Sequence, residues 1–294
     1  MRIAGTYPML FAFFGSDDAL RREAIERQVA AARAVGADGV AVLGLGTEVA
    51  KLGRAERAAV LEWTVAASGD LPVAATIAET NLVDMIEAAR AAERAGVAWL
   101  IFQPPRPPAS GADLIDWFAA AASAVDCPVA IQNAPEFLGI GLTPAELAEL
   151  GRRQPNVTAV KAECSAVALG TLVDALGDTM TTLNGRGGLE LTDNYRAGAA
   201  GMIPGIETAD LQVAVARAMA AGNEAEAEAL YRRLLPAVAF AMQGIDHFVT
   251  HAKHIAALRL GLAPSARRAP GGHMTARGAA WAERLAAELG PLPV

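Results

Sequence analysis

The feature that most constrains this chain is a regular alternation of short apolar runs with longer Ala-rich amphipathic stretches. The apolar runs predict buried strands and the amphipathic stretches predict helices, a pattern that favours parallel β-α-β units. After an initial strand near residues 7–13, further strands are predicted at residues 39–43, 72–77, 98–102, 128–132, 157–161, 180–184 and 201–205. Eight such units predict an α/β fold of the (β/α)8 TIM-barrel type. An open doubly wound sheet is the alternative, but no G-x-G-x-x-G follows the first strand.

The pattern becomes purely helical after residue 222. Residues 224–262 are predicted to be helical throughout, and a further helix is predicted at residues 276–289. No linker rich in Ser, Gly or Pro separates these helices from the preceding part of the chain. We therefore predict a barrel at residues 1–222 and a C-terminal helical extension, packed on it, at residues 223–294.

Composition and charge exclude several classes of function. The chain is 53% hydrophobic and 19% charged, which is unlike a disordered protein. It has no apolar run long enough to span a membrane and no leader with a small-residue cleavage site, so we expect no membrane partner and a cytoplasmic location. The net charge is −7 and no basic cluster exceeds a pair, which predicts no nucleic-acid partner. Cys127 and Cys164 lie far apart in sequence and suggest neither a zinc site nor a disulfide.

Only three of the 25 basic residues are lysine, namely Lys51, Lys161 and Lys253. Lys161 ends the apolar run at residues 157–160, and the active site of a TIM barrel lies at the carboxyl ends of its strands. Burial there disfavours the ammonium form and favours the neutral amine, which attacks a carbonyl carbon to form a Schiff base. An ion pair with Glu163, on the same face of the strand, is an equally weighted interpretation.

The turn at residues 44–48, after the second strand, is a candidate anion site. Its two glycines allow successive backbone N–H groups to converge on an anion. A substrate carboxylate held by Gly46 and Thr47 would orient a 2-oxo acid towards Lys161. A plain tight loop between strand and helix is the alternative.

Three motifs occur in a fixed order along the chain: Gly-x-x-x-Glu at residues 44–48, x-Asn-x-Pro at residues 132–135 and Lys161 on the sixth strand. This set resembles the dihydrodipicolinate synthase/N-acetylneuraminate lyase superfamily of Schiff-base enzymes, and the resemblance covers nearly the whole chain. It implies a TIM barrel, Lys161 as the Schiff-base residue and a small-molecule 2-oxo acid substrate. It also implies a homotetramer built as a dimer of dimers, or a homodimer, with no cofactor and no metal.

The chain departs from the superfamily at several positions. Leu45 and Gly46 replace a pair of threonines in the second-strand turn, and Gln132 replaces the usual proton-relay tyrosine. The tyrosine that synthases supply across the dimer falls near Arg106 and Pro107. Glutamine has no titratable proton, so Gln132 can only donate and accept hydrogen bonds and position other groups. These departures argue against a lysine-biosynthetic synthase.

One branch of the superfamily is more similar, the L-2-keto-3-deoxyarabonate dehydratases. They carry Gln-Asp-Ala-Pro where this chain has residues 132–135, and they share its Lys-x-Glu at residues 161–163. Residues 198–201 also resemble their Gly-Ala-x-Gly run. In these enzymes a 2-oxo acid forms the imine and a hydroxyl leaves as water. Their seventh-strand loop is acidic, whereas this chain has Arg186.

We therefore predict a class I lyase that dehydrates a 2-keto-3-deoxy sugar acid, with Lys161 as nucleophile, Gln132 as a positioning group and Glu163 as a candidate base. Substrate binding is assigned to Gly46, Thr47, Asn184, Arg186 and Gly205, because an arginine can hold carboxylates or hydroxyls bidentately. Arg186 as a solvent-facing loop charge is the alternative. The alternative functions are a pyruvate-dependent aldolase or synthase, and a non-catalytic homologue that binds a 2-oxo acid.

Three histidines share one face of a predicted C-terminal helix. His247 and His251 are four residues apart, and His251 and His254 are three residues apart. Such spacing can bind a metal. Because no H-E-x-x-H is present, we predict that these histidines line a pocket or an interface.

Overall fold

The computed structural model describes residues 2–105 and 110–294. Its eight strands form one parallel sheet in the order β1-β8-β7-β6-β5-β4-β3-β2. The strands are β1 Gly5–Thr6, β2 Val40–Val42, β3 Val73–Ile77, β4 Trp99–Phe102, β5 Val129–Asn133, β6 Val157–Ala162, β7 Thr181–Asn184 and β8 Gly201–Met202. Because β1 pairs with β8, this order is that of a barrel and not of an open doubly wound sheet. The predicted TIM barrel is confirmed.

The first strand lies earlier than predicted. Regular pairing covers only Gly5–Thr6, and an isolated bridge at Met9 then joins both Ala41 and Gly205. Pro8, which has no N–H to donate, separates these two points, but its carbonyl accepts a hydrogen bond from the Ala41 N–H at 2.9 Å. The barrel is therefore closed between β1 and β2 through the Met9 bridge. The prediction of a strand near residues 7–13 was wrong in its bounds.

Helices follow the strands around the outside of the barrel. Their bounds are α1 Arg22–Val35, α2 Arg54–Ser68, α3 Leu82–Arg94, α4 Gly111–Ala122, α5 Pro135–Leu138, α6 Pro144–Arg153, α7 Ala166–Leu176, α8 Leu191–Arg196 and α9 Ala209–Ala220. The Thr143 side chain caps α6 and Glu146 completes the capping box, because Thr-x-x-Glu lets both groups satisfy free backbone donors. No helix in residues 2–105 and 110–294 has both the length and the apolar character to span a membrane.

The C-terminal part of the chain forms α10 Glu224–Ala241, α11 Ile245–His247, α12 Lys253–Leu260 and α13 Ala276–Leu289, with a π-helical turn at Phe248–Ala252. The prediction of continuous helix over residues 224–262 was wrong at one point. The chain breaks after Ala241, where Gly244 has a φ of 151° that side-chain-bearing residues rarely adopt. This break lets α12 turn back towards the barrel, where it contacts α13 and α1.

The barrel interior, or lumen, is filled by one cluster of buried side chains: Ile3, Tyr7, Met9, Ala41, Ala74, Trp99, Ile101, Ala130, Ala159, Leu183 and Ile203. Side chains alternate along a strand, so a residue two positions beyond a lumen residue also faces the lumen. Gln132 and Lys161 stand two residues beyond Ala130 and Ala159. The sequence therefore places them in the lumen at the carboxyl ends of β5 and β6.

Candidate active site

Lys161, Gln132 and Glu163 form one buried cluster at the carboxyl ends of β5 and β6. The strand register pairs Gln132 with Lys161, and these side chains are 1% and 4% exposed. The Lys161 Nζ lies 2.5 Å from the Glu163 Oε1. Gln132 Nε2 donates to the same oxygen at 3.2 Å. The three residues assigned to catalysis are thus in direct contact, and the predicted ion pair between Lys161 and Glu163 is present.

This ion pair has a chemical consequence. Both partners are nearly excluded from solvent, where the charged forms lose much of their hydration free energy. Transfer of a proton from the Lys161 ammonium to the Glu163 carboxylate across this contact would give the neutral amine that adds to a carbonyl group. Glu163 is therefore placed to take a proton from Lys161.

Gly185, directly after β7, leaves room for the lysine. A Cβ atom at this position would lie 2.8 Å from the Lys161 Cε and 2.9 Å from the Glu163 Oε1. Any side chain here would displace one of the two catalytic candidates. Gly185 is therefore part of the site because its lack of a side chain leaves room for Lys161 and Glu163.

The second-strand turn folds around Met9. A Cβ atom on Gly46 would lie 3.1 Å from the Met9 Cγ, and Thr47 Oγ1 donates to the Leu10 carbonyl at 2.6 Å. The Thr47 hydroxyl proton is thus used within the protein. Over the ranges that the structure describes, the Gly46 and Thr47 N–H groups donate to no backbone carbonyl. The Gly44 and Leu45 N–H groups are equally without a backbone acceptor there, so the turn has several candidate donors for an anion.

Glu48 fixes the same turn to the C-terminal extension. It has a left-handed backbone, with φ 58°, and its buried carboxylate accepts from Lys51 at 2.5 Å and from Lys253 of α12. Lys253 also donates to the Ala12 carbonyl at 3.2 Å, and burial lowers the pKa of its ammonium. Two of the three lysines of the chain are therefore structural partners of one carboxylate, and only Lys161 faces the lumen.

Asn184 lies beside the cluster, but its amide is occupied by the protein. Its Nδ2 donates to the Cys164 carbonyl at 3.0 Å and to the Asn194 Oδ1 at 3.1 Å, and its Oδ1 accepts from the Arg186 N–H at 2.9 Å. These bonds fix the start of the loop that follows β7. In this geometry Asn184 positions Arg186.

Arg186 projects from the same loop and makes two ion pairs. Its Nη1 lies 2.9 Å from Glu190, and its Nη2 lies 3.8 Å from Glu136 at the start of α5. Its Nε is buried, and no described residue accepts from it. The guanidinium therefore joins the loops after β5 and β7 and keeps a donor for a further group.

Gly205 and Glu207 occupy the carboxyl end of β8. A Cβ atom on Gly205 would lie 2.0 Å from the Glu207 Oε2, so this carboxyl group fills the space in front of the glycine. Glu207 is only 2% exposed, and burial raises the pKa of its carboxyl group to about 7. A carboxyl with such a pKa changes charge near neutral pH.

Several buried polar atoms around the lumen have no hydrogen-bond partner among the described residues. They are Thr76 Oγ1, Gln103 Nε2, Gln132 Oε1 and Glu207 Oε2. Buried polar groups are normally paired, so a set of unpaired ones at one barrel end indicates a place for a polar ligand. Thr76, Gln103 and Glu207 are not among the site residues that the sequence predicted. Gln103 and Glu207 follow β4 and β8 closely, and a rule that takes every polar strand end would have found them.

The three histidines occupy different places. His247 lines a cleft at the barrel mouth, together with Leu45 of the second-strand turn and Phe137 of α5. The His251 ring stacks on that of His247, with centroids 3.9 Å apart, and His254 lines a separate cavity beside Lys253. Within residues 2–105 and 110–294, no three His, Cys, Asp or Glu side chains are arranged to hold a metal ion. The position near Arg106 and Pro107 lies outside the described residues.

The TIM-barrel fold, together with a buried lysine that faces the lumen from β6, assigns this chain to the class of candidate barrel enzymes. The chain matches the model of the dihydrodipicolinate synthetase family over residues 2–280, and it therefore belongs to that family.

Three similar proteins illustrate this membership. A 4-hydroxy-tetrahydrodipicolinate synthase from Symbiobacterium thermophilum is 32% identical over 215 residues, which is 69% of this chain and 70% of the relative. YagE of Escherichia coli, whose name proposes a 2-dehydro-3-deoxy-D-gluconate aldolase, is 29% identical over 56% of this chain and 55% of its own length. The crystal structure of YagE in complex with pyruvate has a TM-score of 0.91 at 24% identity, and the match covers 98% of each chain.

Proposed function

We propose that this chain is a class I Schiff-base lyase that dehydrates a 2-keto-3-deoxy sugar acid. The observation that carries the proposal is the buried contact of Lys161 with Glu163 and Gln132 at the mouth of the barrel. It supplies a nucleophilic amine and an adjacent proton acceptor, and it has an amide where a proton-relay tyrosine would stand.

The positions of the tyrosines support this choice. The chain has only three. Tyr7 packs edge-on against Trp99, next to Gly39 at the amino-terminal end of β2, while Tyr195 and Tyr231 belong to α8 and α10 outside the barrel. A second copy of the chain would bring the same three residues. A tyrosine relay to an imine on Lys161 is thus unsupported, and proton transfer falls to carboxyl groups.

The proposed reaction begins with addition of the Lys161 Nζ to the C2 carbonyl of the substrate. Loss of water gives an iminium ion, which acidifies the C3 hydrogens because its positive nitrogen accepts the electrons released at C3. In this proposal Glu163, whose carboxylate lies 2.5 Å from the Nζ, removes that C3 proton. The resulting enamine expels the hydroxyl group at C4 and leaves a C3–C4 double bond. With a pentonate, movement of a proton from C5 to C3 and of the C5 hydroxyl proton to C4 then gives an aldehyde at C5, and hydrolysis frees Lys161.

Substrate orientation follows from the remaining groups. The Gly46 and Thr47 N–H groups receive the carboxylate, and Arg186 with its unpaired Nε receives the distal hydroxyls. Gln132 holds Glu163 in place. The pyruvate in the YagE complex supports a 2-oxo acid ligand for this fold. The expected homotetramer or homodimer stays a prediction that sedimentation velocity can measure.

A second candidate is an aldolase, which is favoured by the name of YagE. In that reaction the C3–C4 bond of the same iminium ion breaks, whereas dehydration removes a C3 proton. The products are pyruvate and an aldehyde. The two reactions differ in product, because dehydration of a 2-keto-3-deoxypentonate gives a semialdehyde and no pyruvate. Product analysis by mass spectrometry separates them.

The test of the Schiff base is borohydride trapping. The protein is incubated with pyruvate or a 2-keto-3-deoxypentonate, reduced with borohydride and digested, and the adduct is expected on Lys161. Lys161→Arg keeps a positive charge but cannot form an imine, so it should give no adduct, whereas Lys253→Arg should trap like the unmodified protein. Absence of an adduct with every 2-oxo acid, or an adduct on another lysine, would overturn the proposal.

A further inference from the structure

Glu207 carries a buried carboxyl group that makes no ion pair with any described residue, although the charge of Arg259 lies nearby and partly offsets the effect of burial on its pKa. Its Oε2 has no hydrogen-bond partner among the described residues. The nearby Arg259 guanidinium donates instead to the Glu207 backbone carbonyl, at 2.5 Å, and to the Asp210 carboxylate, at 2.6 Å. The positive charge of Arg259 is thus matched by Asp210. An ionised Glu207 would be a buried, unpaired charge, so this environment favours the neutral acid.

The Glu207 carboxyl group lies on the lumen side of β8. Gly205 stands two residues beyond Ile203 and forms a bridge with Met9, and both of these side chains belong to the lumen cluster. The direction in which Gly205 would carry a side chain therefore points into the lumen. The Glu207 Oε2 lies 2.0 Å from that Cβ position. The carboxyl group thus occupies the mouth of the barrel.

Glu207 and Lys161 are on the same side of that mouth. The strand between them, β7, is followed by Gly185, whose Cβ position lies 2.8 Å from the Lys161 Cε. Glycines at Gly185 and Gly205, on neighbouring strands, remove the side chains that would otherwise separate the two groups. A substrate bound to Lys161 would therefore extend past β7 towards Glu207.

We propose that Glu207 is the general acid of the dehydration and delivers its proton to the C4 hydroxyl of the substrate joined to Lys161. The inference rests on the function proposed above. Hydroxide is a poor leaving group, so loss of this hydroxyl requires a proton donor, and Glu163 is already occupied with the amine and the C3 proton.

The step balances with two carboxyl groups. Glu163 takes the C3 proton, and the C–H electron pair forms the enamine. The enamine electrons then form a C3–C4 double bond as the C4–O bond breaks, and the oxygen takes the Glu207 proton and leaves as water. Carbon is neither oxidised nor reduced overall. Glu163 ends protonated and Glu207 ends ionised, and exchange with solvent restores both.

The charge state of Glu207 predicts how this step depends on pH. The charged groups that face it are Arg259 of α12 and Asp210 of α9, which pair with each other, and the pair of Lys161 and Glu163 at the carboxyl end of β6. Burial raises the Glu207 pKa to about 7, so the acid form is present below that pH. Elimination of a hydroxyl should therefore slow as the pH rises above about 7.

The test compares Glu207→Gln with the unmodified protein on 4-hydroxy-2-oxobutanoate and 4-chloro-2-oxobutanoate, which differ only in the leaving group. Chloride needs no proton to leave. In the variant, hydroxyl elimination should fall by about 10²- to 10⁴-fold. Chloride release should stay within about threefold, and the borohydride adduct on Lys161 should persist, which also reports an intact site.

Hydroxyl elimination by Glu207→Gln within about threefold of the unmodified protein, or equal losses for both leaving groups, would overturn the role of Glu207. A measurement without mutation is independent: in the unmodified protein the decline above about pH 7 should affect the hydroxyl substrate and not the chloride one, and equal profiles would contradict the inference. If the unmodified protein forms no adduct with any 2-oxo acid, the Schiff-base function itself has failed. An adduct without any effect of Glu207→Gln removes only this inference.

Discussion

Lys161 lies on β6 and Glu163 is the first residue after that strand, and the Lys161 Nζ lies 2.5 Å from the Glu163 Oε1. Because both side chains are buried, each is the main electrostatic partner of the other. Glu163→Gln should therefore leave Lys161 buried without its counter-ion, at a cost of about 3–5 kcal/mol. Dehydration should fall by at least about 10²-fold because the base is lost.

The measurements are the free energy of unfolding in urea and the initial rate on a 2-keto-3-deoxypentonate. Glu149→Gln is a suitable control, because Glu149 is paired with Arg152 at 3.8 Å on the exposed surface of α6. That variant should change neither quantity appreciably. Wild-type rates in Glu163→Gln would exclude Glu163 as the base.

Gln132→Leu should lower the rate of dehydration more than the extent of imine formation. Leucine has a similar size but cannot donate to Glu163, so that carboxyl group loses a bond that holds it at 3.2 Å. We expect dehydration to fall by about tenfold, from loss of a hydrogen bond to a charged group, while the borohydride adduct persists. Gln154→Leu, after α6 at the other end of the barrel, should leave both unchanged. Loss of the adduct in Gln132→Leu would assign Gln132 to imine formation instead.

Gly185→Ala tests the space beside the lysine. The new methyl group would lie 2.8 Å from the Lys161 Cε, and this contact can be relieved only if that side chain moves. We expect a modest loss of stability, about 1–3 kcal/mol, and a large loss of trapping rate. Gly170→Ala in α7 is the matched control, since its nearest neighbour would be 3.7 Å away and alanine favours a helix. Equal trapping by both variants would contradict this role.

Glu207 should make the protein less stable as the pH rises. Its pKa is raised from 4.5 to about 7 in the folded state, so the folded protein retains a proton that the unfolded chain releases between these values. The contribution of Glu207 is thus fully present below the unfolded pKa and is lost as the pH rises through about 7. The full loss amounts to about 3 kcal/mol, since each pKa unit corresponds to about 1.4 kcal/mol.

Urea unfolding of the protein and of Glu207→Gln at pH 5 and pH 8 measures this effect. The difference between the two pH values should be smaller in the variant, because glutamine does not ionise. An identical pH dependence in both proteins would show that the Glu207 carboxyl group is not held neutral by burial.

The sequence by itself determined the fold class and the position of Lys161, the candidate Schiff-base residue. Alternating apolar and amphipathic runs reflect which segments are buried as strands. Because Lys161 ends such an apolar run, the sequence predicted that it lies at the carboxyl end of a barrel strand. The spacing of Lys161 and Glu163 along one strand also predicted that their side chains meet. These are local relations, fixed by the two-residue period of a strand.

Only the tertiary structure decided the relations between distant segments. The closure at Met9, the packing of Glu207 against Gly205 and the pairing of Glu48 with Lys253 depend on which strands and helices become neighbours. Periodicity records that a residue is buried, but not what it contacts. Thr76 has the pattern of an ordinary strand residue for the same reason, and the lack of a partner for its hydroxyl group became visible only in the closed barrel.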